Sequence, residues 1–218
     1  MDTFDLYKDI QCRTNGEIYL GVVGPVRSGK STFIKRFMDV LVLPKMTDEH
    51  AKERTVDELP QSASGKSIMT TEPKFVPKEA AKIQLAKDVS VLVRLIDCVG
   101  YMVEGAAGHM ENGAERLVKT PWNEKEIPFT KAAEIGTKKV IHDHSTIGIV
   151  VTTDGSIGEL PRNSYRAAEK KTIQELKSIG KPFVVLVNTR KPYSTEAKNV
   201  AEEIQKEYQV TALPVNCE

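Results

Sequence analysis

A mostly parallel α/β sheet with one antiparallel strand and helices on both faces is predicted by three observations. Apolar strands alternate with helical stretches from Thr146 onward, a glycine-bearing turn joins a buried strand to a helix near residue 24, and two apolar runs between Lys74 and Asp97 are separated at hairpin distance. The 218 residues suit one such domain, and the mixture of 40% apolar and 28% charged residues is that of a chain able to bury a core.

Taken in order, Ile18 to Val23 (IYLGVV) is a short buried strand that runs into Gly24, and Lys30 to Leu43 has helical spacing with Phe33, Phe37 and Val40 or Leu41 on one face. From Pro44 to Pro73 the pattern dissolves around Pro60, Ser62, Ser64 and Gly65, which predicts a long exposed loop or short irregular helices. Lys74 to Leu85 and Val89 to Asp97 flank Ala86-Lys87-Asp88 and are expected to pair antiparallel. Gly100 to Ser145 lacks continuous patterning. It is expected to be a helical insertion near 101–145, with helices at Glu111 to Lys119 and Thr130 to Ile141 around the loop PWNEKEIPF. Thr146 to Thr152, Phe183 to Asn188 and Val210 to Val215 are further strands, separated by helices at Asn163 to Ile179 and Ser194 to Glu207. The reading is one domain over residues 1–218, a fragment of a longer protein.

Charge and cysteine usage exclude several functions. Thirty-one Lys plus Arg against 30 Asp plus Glu leave a formal charge of +1, far from the basic excess that binds nucleic acid. Apolar runs such as Phe183 to Val187 are too short to span a bilayer, and the opening MDTFDLYKDI has no apolar signal core, so a cytosolic address is expected. Cys12, Cys98 and Cys217 are scattered and read as plain thiols.

Gly24-Pro25-Val26-Arg27-Ser28-Gly29-Lys30-Ser31 satisfies G-x-x-x-x-G-K-[ST], and it lies where that motif works, between a strand and a helix start. Glycines let backbone N–H groups curl round phosphates, Lys30 brings a point charge to the β- and γ-phosphates, and Ser31 is expected on Mg²⁺, with Thr32 beside it in the positive first turn of the helix. Asp97-Cys98-Val99-Gly100 ends the strong strand as D-x-x-G. Asp97 is expected to hold Mg²⁺ through a water, and Gly100 to offer an N–H to the γ-phosphate and a flexible joint. Thr70-Thr71 closes the polar loop, and one of the two is expected to cover the metal and γ-phosphate as a sensor; Thr71 is the metal candidate. With phosphate loop, threonine, hairpin and D-x-x-G in this order, the chain resembles the translation-factor class of P-loop GTPases.

Members of that class read guanine with N-K-x-D after a late parallel strand. Here that strand is followed by Asn188-Thr189-Arg190-Lys191, so the Asn is present while a lysine stands at the Asp position. An ammonium cannot accept from guanine N1 and N2, and each donor left unpaired costs ~1–3 kcal/mol. Adenine N1 is an acceptor, so ATP is favoured over GTP; the alternative is a base held by stacking alone, with either nucleotide bound. Val215-Asn216-Cys217, in the place of the second base loop, departs from the class pattern as well.

Tyr101 follows D-x-x-G where many small GTPases carry a water-orienting Gln, which predicts slow hydrolysis resting on Lys30, Mg²⁺ and the threonine. Arg27 stands where cation-dependent relatives place a potassium-binding Asn, so its guanidinium is a candidate for that charge. His142 and His144, with Asp143, lack a third nearby ligand and read as a polar loop. Trp122 reads as a packing anchor for the insertion.

GVVGPVRSGKSTFIKRFM, TTEPKFVP, LIDCVGYMVEGA, PWNEKEIPFTKAAEIGT and HSTIGIVVTTDGSI, with N-K-x-D absent, together resemble the stage IV sporulation protein A family, coat morphogenetic ATPases of endospore formers. The resemblance runs through the insertion that ordinary GTPases lack. It implies Mg²⁺-dependent ATP hydrolysis that drives self-assembly into a coat basement layer on the mother-cell side of the forespore. It also implies contacts with other spore coat proteins, and with the forespore membrane through regions beyond this chain. The alternatives are a regulatory GTPase and a non-hydrolysing nucleotide-bound scaffold.

Overall fold

The computed structural model describes residues 16–60, 71–86, 89–111 and 113–218. Its element order starts with β1 (Glu17–Val23), then α1 (Lys30–Phe37), extended by a π-type turn Met38–Val42 and a 3₁₀ turn Leu43–Lys45, and α2 (Glu49–Glu58). Next come β2 (Lys74–Ala86), β3 (Val89–Asp97), β4 (Met110–Glu111), β5 (Ala114–Glu115), β6 (Leu117–Thr120), β7 (Asn123–Pro128) and α3 (Phe129–Lys139), which ends in a π-type turn Val140–His144. Last are β8 (Ile147–Thr153), α4 (Arg162–Ser178), β9 (Phe183–Asn188), α5 (Thr195–Tyr208) and β10 (Ala212–Val215).

Six strands form the central sheet in the order β10-β9-β8-β1-β3-β2. Every neighbouring pair is parallel except β2 with β3, as the hairpin spacing predicts. The period-2 alternation of side chains divides two cores between the faces. Val22, Val93, Leu95, Ile149 and Val151 meet Ile34 of α1 and Met38 of the turn that extends it on one face. Val23, Ile96, Val150, Val185 and Val187 meet Ile141 after α3, Tyr165, Ile173 and Leu176 of α4 and Ile204 of α5 on the other. Each parallel strand is therefore apolar on consecutive residues, which is why these runs stand out in the sequence.

Two segments differ from the sequence reading. Within the polar stretch after Pro44, α2 is a regular ten-residue helix, capped by the Asp48 carboxylate accepting from the Ala51 N–H at 3.1 Å. Of the segment expected as a helix from Glu111 to Lys119, Glu111, Ala114, Glu115 and Leu117 to Lys119 instead lie in the strands of two small hairpins, β4 with β5 and β6 with β7. The helical content of the insertion thus lies in α3 and its terminal turn. Leu117 and Val118 pair across to Pro128 and Ile127, and the PWNEKEIPF segment is mainly the return strand rather than a loop. Lys139 Nζ lies 5.7 Å from the centroid of the Trp122 ring, joining the β6–β7 turn to α3.

Candidate functional site: a phosphate loop at the sheet edge

The turn from β1 to α1 owes its shape to three left-handed residues, Gly24 (φ 134°), Arg27 (φ 60°) and Gly29 (φ 94°). Gly29 also caps α1. No side chain caps this end and no acid occupies the first turn, so the helix presents unpaired N–H groups and the positive end of its dipole outward. A Cβ at Gly29 would stand 2.2 Å from Asn188 Nδ2, which leaves no room for a larger residue.

Lys30 is 5% exposed and its ammonium donates to the Pro25 carbonyl at 2.6 Å, inside the curl of the loop. Burial pulls its pKa down, with the Cys98 and Asp97 groups opposing. Ser31 Oγ donates to Asp97 Oδ2 at 2.7 Å, so the two residues singled out for magnesium are already in contact. Burial pushes the Asp97 carboxyl up, against the Ser31 hydrogen bond and the Lys30 charge. Asp97 Oδ1 is buried with no hydrogen-bond partner. A hard cation between the Ser31 hydroxyl and this orphaned oxygen would satisfy both, so the donor set fits Mg²⁺.

Gly100 (φ 94°) closes the other side. A Cβ there would lie 2.1 Å from the Gly24 carbonyl oxygen and 2.7 Å from Lys30 Nζ. The chain after it is clasped to the phosphate loop, with the Tyr101 N–H donating to the Gly24 carbonyl (3.1 Å) and the Val26 N–H to the Tyr101 carbonyl (2.8 Å). The Tyr101 ring is buried beneath Lys171, whose Nζ is 4.6 Å from its centroid. Arg27 is exposed and its Nη2 donates to the Ala107 carbonyl at 3.3 Å, which joins the loop to the insertion. Thr71 is buried, and its carbonyl lies where a Cβ on Gly136 of α3 would approach to 2.5 Å. Thr70 and Cys12 fall outside the described residues.

At the end of β9, where the sequence predicts base contacts, Asn188 is 3% exposed and works as a tie between loops. Its Nδ2 donates to the Ser28 carbonyl (3.1 Å) and its Oδ1 accepts from the Cys217 N–H (3.2 Å). The amide thereby locks the ends of β9 and β10 to the phosphate loop. Lys191 lines an open groove of about 810 Å³ with Arg190, Tyr193, Pro214 and Asn216. Asp154, which the sequence reading passes over, belongs to this region. Its carboxylate accepts from Thr189 Oγ1 at 2.5 Å and from Ser156 Oγ at 2.6 Å, and Ser156 Oγ in turn accepts from the Arg190 N–H at 3.1 Å. Burial works to raise the Asp154 pKa, but the hydrogen bonds from Ser156 and Thr189 prevail and hold it below the usual carboxylate range. The Asp-Gly-Ser turn straight after β8 is the signal that could have drawn attention to it.

Elsewhere, His142 Nε2 is 2.7 Å from Glu175 Oε1, and among the described residues no group of three His, Cys, Asp or Glu side chains is placed to hold a metal. Cys98 and Cys217 are buried free thiols, and burial pushes their pKa values up to about 11 and about 12. No helix among the described residues is long and apolar enough to cross a membrane.

A glycine-shaped turn feeding a helix N-terminus, a buried lysine inside it, and a serine touching the aspartate of the adjacent parallel strand place the chain in the P-loop NTPase class. Comparison with known proteins agrees and narrows it: a family model described as stage IV sporulation protein A, ATPase domain, matches residues 1–218. The chain belongs to that family. It is 57% identical over 212 residues to stage IV sporulation protein A of Clostridioides difficile (strain 630), covering 97% of this chain and 43% of that protein. It is 51% identical over 218 residues to the protein of the same name from Bacillus subtilis (strain 168), covering 100% of this chain and 44% of that one. The chain thus spans less than half the length of these curated relatives. Among solved structures, a crystal structure of the SsGBP variant G235S superposes with a TM-score of 0.48 at 13% identity, covering 99% of this chain and 58% of that one.

Proposed function

We propose that this domain binds ATP with Mg²⁺ and hydrolyses its β–γ anhydride bond, and that in the whole protein this reaction serves self-assembly into a spore coat layer. The observation that carries the reading is the contact between Ser31 and Asp97 beside the buried Lys30 ammonium. Magnesium held by Ser31 and Asp97 would supply neutralisation of the charge that develops on the phosphate oxygens. The chain's own groups do the rest. Gly24, Gly29 and the backbone between them, Pro25, Val26, Arg27 and Ser28, shape the turn. Lys30 exchanges its Pro25 carbonyl for phosphate oxygens, and Ser31 and Asp97 hold the metal. Thr32 belongs to the first turn of α1, the Gly100 N–H serves the γ-phosphate, and the sensor role falls to Thr70 or Thr71. On this reading the mother-cell cytoplasm, other coat proteins and the forespore membrane are the setting of the full-length protein, and nucleic acid has no part in it.

Lys191, a cation among the residues that line the groove beyond β9 and β10, argues against guanine. The expected result is that a tenfold excess of GTP leaves Mg²⁺-ATP binding in calorimetry nearly unchanged; displacement at equal concentration would make the site a GTPase. Arg27, held at φ 60° with its guanidinium beside the insertion, is proposed to supply the charge that relatives obtain from a monovalent cation. Phosphate release by Arg27→Ala should then fall several-fold and recover in part with added potassium. Unchanged turnover removes this role.

A further inference from the structure

The strand order reverses between β1 and β8: the chain leaves β1 toward β3 and β2 on one side, and from β8 runs to β9 and β10 on the other. In open α/β sheets the crevice beyond the carboxyl ends at such a reversal receives the ligand. Two loops border it, the phosphate loop after β1 and residues 154–161 after β8. The function proposed above uses only the first.

The second loop is pinned at both ends. At its start Asp154 is held by Thr189 and Ser156, and Gly155 (φ 91°) sits so close to Arg162 that a Cβ would meet the Arg162 nitrogen at 2.8 Å. At its end Arg162 is anchored by Glu169, with Nη1 to Oε2 at 2.6 Å and Nη2 to Oε1 at 2.8 Å. Leu160 packs against the core on the α4 side of the sheet. Ile157 is different. It remains half-buried, and its Cδ1 lies 3.6 Å from the point a Cβ on Gly29 would occupy, a point that Asn188 Nδ2 also approaches. Thr189, the first residue after β9, is short and buried, and its hydroxyl is directed to Asp154. The longer residues of that loop, Arg190, Lys191 and Tyr193, line the groove toward β10, whereas Ile157, an aliphatic side chain from the loop after β8, stands at the residue that opens α1.

We propose that Ile157 is a substrate-contacting residue that supplies the apolar surface for the base and ribose of the bound nucleotide, with Asp154 and Arg162 positioning its loop. The proposal rests on the phosphate-loop reading and extends it to the nucleoside. Aliphatic contact is blind to hydrogen-bonding edges, so Ile157 contributes affinity for the nucleoside while the neighbouring polar groups choose among bases. It acts on a part of the ligand that inorganic tripolyphosphate lacks.

The test is calorimetric titration of wild type, Ile157→Ser, Ile157→Asp and Ile157→Leu with Mg²⁺-ATP and, separately, with Mg²⁺-tripolyphosphate. The expected result is an ATP Kd raised about tenfold in Ile157→Asp and by a smaller factor in Ile157→Ser. Ile157→Leu should match wild type, and the tripolyphosphate Kd should be the same in all four. Equal weakening of both ligands would show that the residue only braces the phosphate loop, and no weakening of either would show that it touches nothing; each overturns the proposal. Failure of wild type to bind tripolyphosphate and ATP alike is a separate result, which removes the phosphate-loop reading and this proposal with it.

Discussion

Replacing Lys30 with alanine should abolish measurable ATP binding and lower phosphate release by roughly 10²–10³-fold, the usual cost of deleting one preorganised group at a developing charge. The ammonium lies within the curl of the phosphate loop and is largely withdrawn from water, where an unscreened charge counts most. The fold should survive. Burial already disfavours the charged form of Lys30, while α1 and the turn that extends it are held by Ile34 and Met38 on their core face. The urea midpoint is therefore expected to stay close to wild type while activity disappears. Phosphate release equal in the two proteins would mean a scaffold whose nucleotide is not turned over.

The largest effect on stability is expected at Arg162. Its guanidinium grips Glu169 through both terminal nitrogens, and Glu169, 2% exposed, also accepts from Thr152 Oγ1 at 2.6 Å. Arg162→Ala leaves that carboxylate buried with only a hydroxyl beside it, a loss of about 3–5 kcal/mol in urea unfolding. Pairing it with Glu169→Leu should recover most of the loss, because the apolar pair no longer has a charge to desolvate. A single variant as stable as wild type would show that water reaches Glu169. The same bond ends the loop that carries Ile157, so the single variant is also expected to loosen the nucleoside side of the site.

Much of this was legible in the chain because the signals are local and strong. The six-strand sheet announces itself through runs such as FVVLVN and VSVLVRLID, and the phosphate loop through spacing that mechanism dictates. Lys30, Ser31, Asp97 and Gly100 come together in space as their motif order implies. Segments whose structure depends on partners were misread or left vague. Leu117 and Val118 find strand conformation only by pairing with Pro128 and Ile127, and no helical periodicity or lone propensity could distinguish that from a short helix. Asp48, which caps α2, offered a local clue within an otherwise polar stretch.

The base side shows a different limit. Asn188 stands out by its place in a motif, yet both ends of its amide are occupied by backbone of the phosphate loop and of the segment after β10. Asp154 and Thr189 are joined across adjacent strand ends although they are distant in sequence. Such meetings are products of strand order, which spacing alone does not reveal.

The alternation along β1 reaches further than packing. Val22 goes to the core under α1 and Val23 to the core under α4, so the chain arrives at Gly24 with its rotation already set by two independent hydrophobic contacts. The direction in which the glycine-shaped turn opens is thus inherited from the middle of the molecule, like the angle of a key fixed by the shaft behind it.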